Sequence, residues 1–355
     1  MEKKRTSPTK KSLSGILLMC MLAIALSLSG CFDPPPDPVS APVVEEDKQL
    51  SAAEIAEKYG PAVVNIASLD GEGSGVIYKI KDGYGYIITN DHVIRHDNGS
   101  IGVKRVNLKD DREIKSDRIE IVGVDRRTDL AVIKIKAENL KAADFGDSNA
   151  VKAGEKVYAI GNPRGSKHDI DDGIIRTDEP ETTSDAGETN INQYLKTSIS
   201  LNPGNSGGPI FNEYGKIVAI ADMVRRDAQN LNYAIPSNKA KEIAEELEKK
   251  GYVTWPYIGV NASNKVYKKS GNPCILVQDV MNDSPAAKAG IKRGDIIKGV
   301  GGIAVSNVAE LRKKINDAKV GADVYVQIER GANIYNFQLK EIKELPKSDQ
   351  MIDWS

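Results

Sequence analysis

Gly204-Asn205-Ser206-Gly207-Gly208-Pro209 is the stretch on which the reading of this 355-residue chain turns. Glycines on both sides let the backbone bend sharply, expose a serine hydroxyl and aim amide N–H groups at one point where an oxyanion can sit. A serine is a poor nucleophile at its own pKa and needs a neighbouring base. The rest of the chain is therefore read for that base and for what orients it.

The same letters satisfy G-x-S-x-G, the strained strand-to-helix elbow of α/β-hydrolases. That fold places its histidine after the serine, whereas His92, His96 and His168 all precede Ser206. Chain order excludes it. His92 follows the alternating segment Tyr84 to Thr89, in Thr89-Asn90-Asp91-His92-Val93-Ile94, where a strand end and turn can present an imidazole. His96 lies four residues on, as in helical zinc motifs, but Val93 stands where that motif needs glutamate and no third ligand is evident. No metal is therefore expected. With histidine before serine, the orienting carboxylate belongs between them, and Asp129 in Arg126-Arg127-Thr128-Asp129-Leu130-Ala131-Val132-Ile133 sits at the mouth of an apolar strand.

Working outward, Ala62 to Pro236 reads as short strands separated by Gly, Asp and Asn turns. Val63–Ser68, Gly75–Ile80, Tyr84–Thr89, Leu130–Lys136, Lys156–Ile160 and Lys216–Ala221 are the clearest. No long helix interrupts them, which favours antiparallel barrels over a doubly wound sheet. Ser51 caps a short helix to Tyr59, with Glu54 three residues on. Ser237 to Lys250 is predicted as a helix that buries Ala240, Ile243, Ala244 and Leu247, with Gly251 just past its end. A second unit follows from Trp255 to about Ile342, with strands at Ile275–Val280, Asp323–Glu329 and Tyr335–Leu339 and helices at Pro285–Ala289 and Val308–Asn316. Gly71-Glu72-Gly73-Ser74-Gly75 lacks the Lys and Ser/Thr of a phosphate loop and reads as a strand-entry turn.

Lys plus Arg number 49 against 50 Asp plus Glu, so there is no overall basic field for nucleic acid. Lys3, Lys4, Arg5, Lys10 and Lys11 precede an apolar run from Leu13 to Leu28, short for a membrane span and suited to a secretory signal. Leu28-Ser29-Gly30-Cys31 resembles the lipobox of bacterial lipoproteins, which implies acylation of Cys31. Residues 1–30 are then the signal peptide. Residues 31–50, with Pro34-Pro35-Pro36, Pro38 and Pro42 among acidic residues, form an extended tether. Cys274 is left as a packed thiol.

Thr89–Ile94, Thr128–Ile135, Ala159-Ile160-Gly161-Asn162-Pro163, Asn202–Pro209 and Ala234-Ile235-Pro236-Ser237 resemble successive signatures of the HtrA/Deg family of trypsin-like serine proteases. The match in order and spacing runs from about Ala53 to Leu339. The resemblance implies an all-β protease domain of two six-stranded barrels, chymotrypsin/trypsin-like, over residues 51–252, followed by an α+β PDZ domain over 255–342 and a tail at 343–355. It implies an endopeptidase acting on unfolded or damaged proteins, without cofactor. His92, Asp129 and Ser206 would be its triad, with Gly204 and Ser206 giving the oxyanion N–H groups. A homotrimer is implied as well.

Where relatives have Thr-Asp-Ala before the serine-loop Asn, this chain has Thr197-Ser198-Ile199, then Ser200 and Leu201. Leu201, Ile220 and Ala221 would line an apolar S1 pocket without a buried carboxylate, suited to small or medium aliphatic residues. Asp283-Ser284-Pro285-Ala286-Ala287-Lys288-Ala289-Gly290 resembles the central PDZ signature. Tyr257-Ile258-Gly259-Val260 resembles the loop that binds a peptide's C-terminal carboxylate. Residues 177–192 match the family's sensor loop by position. The rival reading is a PDZ-based peptide-binding protein or chaperone with a latent protease domain.

Overall fold

The computed structural model describes residues 48–162, 169–177, 194–202, 204–224, 232–266, 271 and 273–344. The signal, Cys31 and residues 178–192 lie outside the described residues.

The chain enters through α1 (Ala52–Tyr59), started by the expected reciprocal cap: Ser51 Oγ accepts from the Glu54 amide, and Glu54 accepts from the Ser51 amide at 2.8 Å. Its fully buried Ile55 anchors it to the central core. β1 (Val63–Ala67), β2 (Glu72–Lys81), β3 (Tyr84–Thr89), β4 (Arg105–Asn107), β5 (Glu113–Lys115), β6 (Ile119–Asp125) and β7 (Leu130–Lys136) follow. They form one antiparallel sheet in the order β5-β4-β1-β2-β3-β7-β6. β8 (Lys156–Gly161), β9 (Asp169–Ile174), β10 (Leu195–Thr197), β11 (Pro209–Asn212), β12 (Ile217–Val224) and β13 (Asn232–Pro236) form the second, ordered β10-β13-β12-β11-β8-β9. This is the expected two-sheet plan, except that the first sheet holds seven strands, the outermost being the three-residue β5.

Each sheet has its own apolar cluster. Ile66, Ile77, Ile87 and Ile133 belong to the first, and Val157, Leu195, Ile210 and Ala234 to the second. A third cluster joins the two halves through Val76, Ile88, Leu130, Ile160, Phe211 and Ile220. Into it α3 (Ser237–Lys250) inserts Ala240, Ile243, Ala244 and Leu247, the four positions expected from its periodicity. Gly251 ends the helix with φ +80°.

β14 (Pro256–Tyr257), β15 (Val260–Val266), β16 (Pro273–Val280), α4 (Pro285–Ala289), β17 (Ile296–Val300), β18 (Ile303–Ala304), α5 (Val308–Asn316), β19 (Val324–Arg330), β20 (Asn333–Leu339) and β21 (Lys343–Glu344) complete the chain. β15 is the edge of a sheet running β15-β16-β17-β19-β20, around Ile275, Val277, Leu311, Val326 and Ile328. Lys343 and Glu344, the first residues after the expected PDZ bounds, pair with Tyr257 and Pro256. The joint carries Trp255, whose indole Nε1 donates to Asp125 Oδ1 at 2.9 Å at the end of β6.

Candidate active site

The turn between β6 and β7 builds the first half of the site. Asp125 is buried, and its Oδ2 accepts from Thr128 Oγ1 at 2.6 Å and from the Thr128 amide at 3.2 Å, which tightens the turn. Burial pushes the Asp125 carboxyl up against the pull of those bonds. The turn closes with Asp129 at φ +53°, a left-handed conformation that aspartate adopts more readily than bulkier residues.

That conformation lets Asp129 serve β3's exit from both ends. Its carbonyl accepts from the Asp91 amide at 3.1 Å and from Asn90 Nδ2 at 2.9 Å. Its carboxylate accepts from the His92 amide at 2.9 Å and meets His92 Nδ1 at 2.5 Å. His92 is not on a plain turn, as expected from sequence, but in α2 (Asp91–Ile94), a single helical turn. Asp91 is buried in a bidentate pair with Arg95, at 2.6 and 2.7 Å, and so pins that turn. Burial acts to lower the His92 pKa. The charge and hydrogen bond of Asp129 outweigh it and raise it to about 9.

The serine loop is held by both sheets. Gly207 takes φ +80°, its amide donates to the Ala221 carbonyl at 2.8 Å, and Ala221 donates back to Gly208 at 2.9 Å. A Cβ on Gly207 would run into the Ser74 carbonyl and Thr89 Oγ1. The Ser74 amide donates to the Ser206 carbonyl at 2.8 Å. Ser74 Oγ donates to the Gly204 carbonyl at 2.6 Å and accepts from the Asn162 amide at 2.9 Å. Ser74 thus clamps the loop from the other half of the fold. Sequence reasoning saw only a strand-entry turn there; the serine among glycines was the available signal.

Ser206 Oγ donates to the Asp222 carbonyl at 3.0 Å. A hydroxyl has one proton, so in this arrangement none points to His92, and transfer requires the O–H to turn away from that carbonyl. An oxygen of Asp222, one of Asp129 and a ring nitrogen of His92 lie within 4.8 Å of one another. Asp222, only 4% exposed, follows Ala221 on β12, with its carboxyl beside that of Asp129. Leu201 and Ala221 pack together in the second sheet's core, whereas Ile220 belongs to the cluster between the halves. His96 is buried apart from the group, 3.5 Å from Asp70.

In the second unit, the Gly259 and Ile258 carbonyls accept from the Met281 and Ala286 amides, both at 2.9 Å, which moors the loop to α4. Asn264 Oδ1 accepts from the Val308 amide at 2.8 Å, which ties the start of α5 to β15.

A serine loop clamped between two antiparallel sheets, together with a His–Asp pair where β3 leaves the first, is the arrangement of the trypsin-like serine peptidases. Residues 73–220 match the trypsin-like peptidase domain and 256–340 the PDZ domain. The serine protease Do-like HtrA of Bacillus subtilis is 37% identical over 350 residues, covering 86% of this chain and 74% of that protein. The putative serine protease HhoB of Synechocystis is 34% identical over 276 residues, 74% of this chain and 64% of its own. Among solved structures, the Yersinia pestis serine endoprotease superposes with a TM-score of 0.65 at 31% identity, covering 84% of this chain and all of that one. The HtrA-type protease AlgW with a decapeptide gives 0.67 at 26% identity, covering 84% and 99%. The chain belongs to the HtrA family of serine proteases.

Proposed function

We propose that this chain is an endopeptidase in which His92 takes the Ser206 proton and returns it to the leaving amine, while Asp129 fixes the imidazole and stabilises its cation. The Gly204 and Ser206 amides receive the oxyanion, and Leu201 and Ala221 contribute to the S1 wall. The observation carrying this reading is the double attachment of His92, by main-chain N and Nδ1, to one carboxylate. It disfavours a latent protease fold kept only for binding. Unfolded polypeptides are the substrate class, and a C-terminal peptide in the Tyr257–Val260 groove regulates turnover by adding a strand at the free edge of β15. The protease unit spans 51–252 and the PDZ unit 255–342.

The test is labelling by a fluorophosphonate, which reacts with an activated serine. Ser206 should be labelled, at a rate that rises with pH, because only neutral imidazole acts as base. The sequence alone places that rise near the ordinary histidine value, ~6 to 7. A His92 pKa raised to about 9 moves it upward, so the midpoint is expected between the ordinary 6.5 and 9. Equal labelling of Ser206→Ala would remove the assignment.

Family relatives named periplasmic DegP-like proteases, in Marinomonas and Pseudomonas putida, support export to the cell envelope. Within it, Leu28 to Cys31 supports a lipid on Cys31 that anchors the chain through residues 31–50. Wild type should take up radiolabelled palmitate and Cys31→Ser should not; equal uptake sinks the anchor. A trimer, proposed from the family, is read directly as mass by light scattering.

A further inference from the structure

Asp222 is a buried acid with no place in the usual division of labour among serine, histidine and aspartate. Its carbonyl already holds the resting Ser206 hydroxyl, and its carboxyl faces that of Asp129. The groups around it come from every neighbouring element: Asp129 on the β6–β7 turn, His92 on α2, and the Tyr194 hydroxyl ahead of β10, which hydrogen-bonds to the same carboxyl. Asp91, beside His92, is already neutralised by Arg95. Tyr194 is fully buried.

Two adjacent carboxyl groups closed off from water do not both ionise; one keeps a proton and hydrogen-bonds through it to the other. The position of that proton follows from the partners. Asp129 already accepts from the His92 amide and meets its Nδ1, both of which favour the carboxylate. Asp222 Oδ2 is buried and has no donor among the described residues, a costly state for a carboxylate oxygen and a natural one for a carboxylic O–H. Burial and the Asp129 charge both push the Asp222 carboxyl well above the usual carboxylate range.

We propose that Asp222 is kept as the neutral acid and donates a hydrogen bond to the Asp129 carboxylate, making it a positioning residue that fixes Asp129 against His92. The inference rests on the triad reading above. It adds a fourth member on β12, on the same residue whose carbonyl holds the Ser206 hydroxyl. A neutral Asp222 places no charge near His92, so the imidazole is tuned by Asp129 without a second anion. When Asp222 ionises at high pH, the two carboxylates repel and the orienting bond is lost.

The test compares Asp222→Asn, which keeps a donor and removes the titration, with Asp222→Leu, which removes both. Asp222→Leu should lower kcat about 10- to 100-fold with KM within about twofold, and Asp222→Asn should restore most of that loss. The separate readout is the NMR titration of His92 in the full chain carrying Ser206→Ala, which does not depend on activity. With a neutral Asp222, adding Asp222→Asn leaves the His92 pKa within about 0.3 unit. A fall of about one unit or more would mean that Asp222 is an anion in the parent chain, and the proposal would be wrong. Failure of Asp222→Asn to recover turnover would equally overturn it. If Ser206→Ala itself retains proteolysis, the triad reading fails instead, whatever His92 does.

Discussion

Ser206→Ala is expected to lower turnover of an unfolded protein such as casein by about 10⁵- to 10⁶-fold, because nucleophile and base act as a unit. What survives comes from binding and from the oxyanion donors. The fold should hardly change: the hydroxyl makes one hydrogen bond, to the Asp222 carbonyl at 3.0 Å on a half-buried residue. Such a bond contributes about 1 kcal/mol. Far-UV circular dichroism should therefore match the parent's while cleavage disappears. Turnover within about a hundredfold of wild type would mean that another group attacks the peptide bond.

Gly207→Ala should be the more damaging change to the molecule as a whole. At φ +80° a side chain costs roughly 1–2 kcal/mol. The added methyl also meets backbone and hydroxyl atoms of β2 and β3, which are held by the Thr89 Oγ1 to Ser74 carbonyl bond at 2.7 Å. Overpacking against such fixed atoms adds about 1–3 kcal/mol. The loop must shift, and a displacement of ~1 Å at a reacting group costs on the order of 10² in rate. Activity should fall at least ~100-fold and Tm by roughly 5 °C or more. A variant with parent-like Tm and turnover would show that the clamp across the two sheets does not set the position of Ser206.

Local rules carried far in this chain. The box at Ser51 and Glu54, the apolar face of Ser237–Lys250 and the alternation of Tyr84–Thr89 are all short-range patterns, and each element forms where its pattern lies. Histidine scarcity and residue order then reduced the candidates for base and acid to a pair that the fold brings to 2.5 Å. Asp222 was not legible in the same way. It is one acid in the mostly apolar run Ile217–Val224, and its meaning depends on a turn 93 positions earlier in the chain. Ser74 was hidden likewise, since its three loop contacts span 88 to 132 positions. Helix α2 is only four residues long and is set by the buried Asp91–Arg95 pair rather than by propensity. Long-range polar contacts leave no periodic trace.

The bond from Trp255 to Asp125 bears on how the protease half can be excised. Its indole belongs to the segment leading into the PDZ fold, yet its acceptor stands four residues before Asp129. A chain cut after Gly251 would strip a fully buried acceptor of its donor, at a cost of about 1–3 kcal/mol, and would loosen the very turn that aims the carboxylate at His92. Low activity in such a fragment would then be a wound at the cut, indistinguishable from the loss of a PDZ signal. A cut placed after Tyr257 keeps the indole, and titrating C-terminal peptides against the whole chain avoids the surgery altogether.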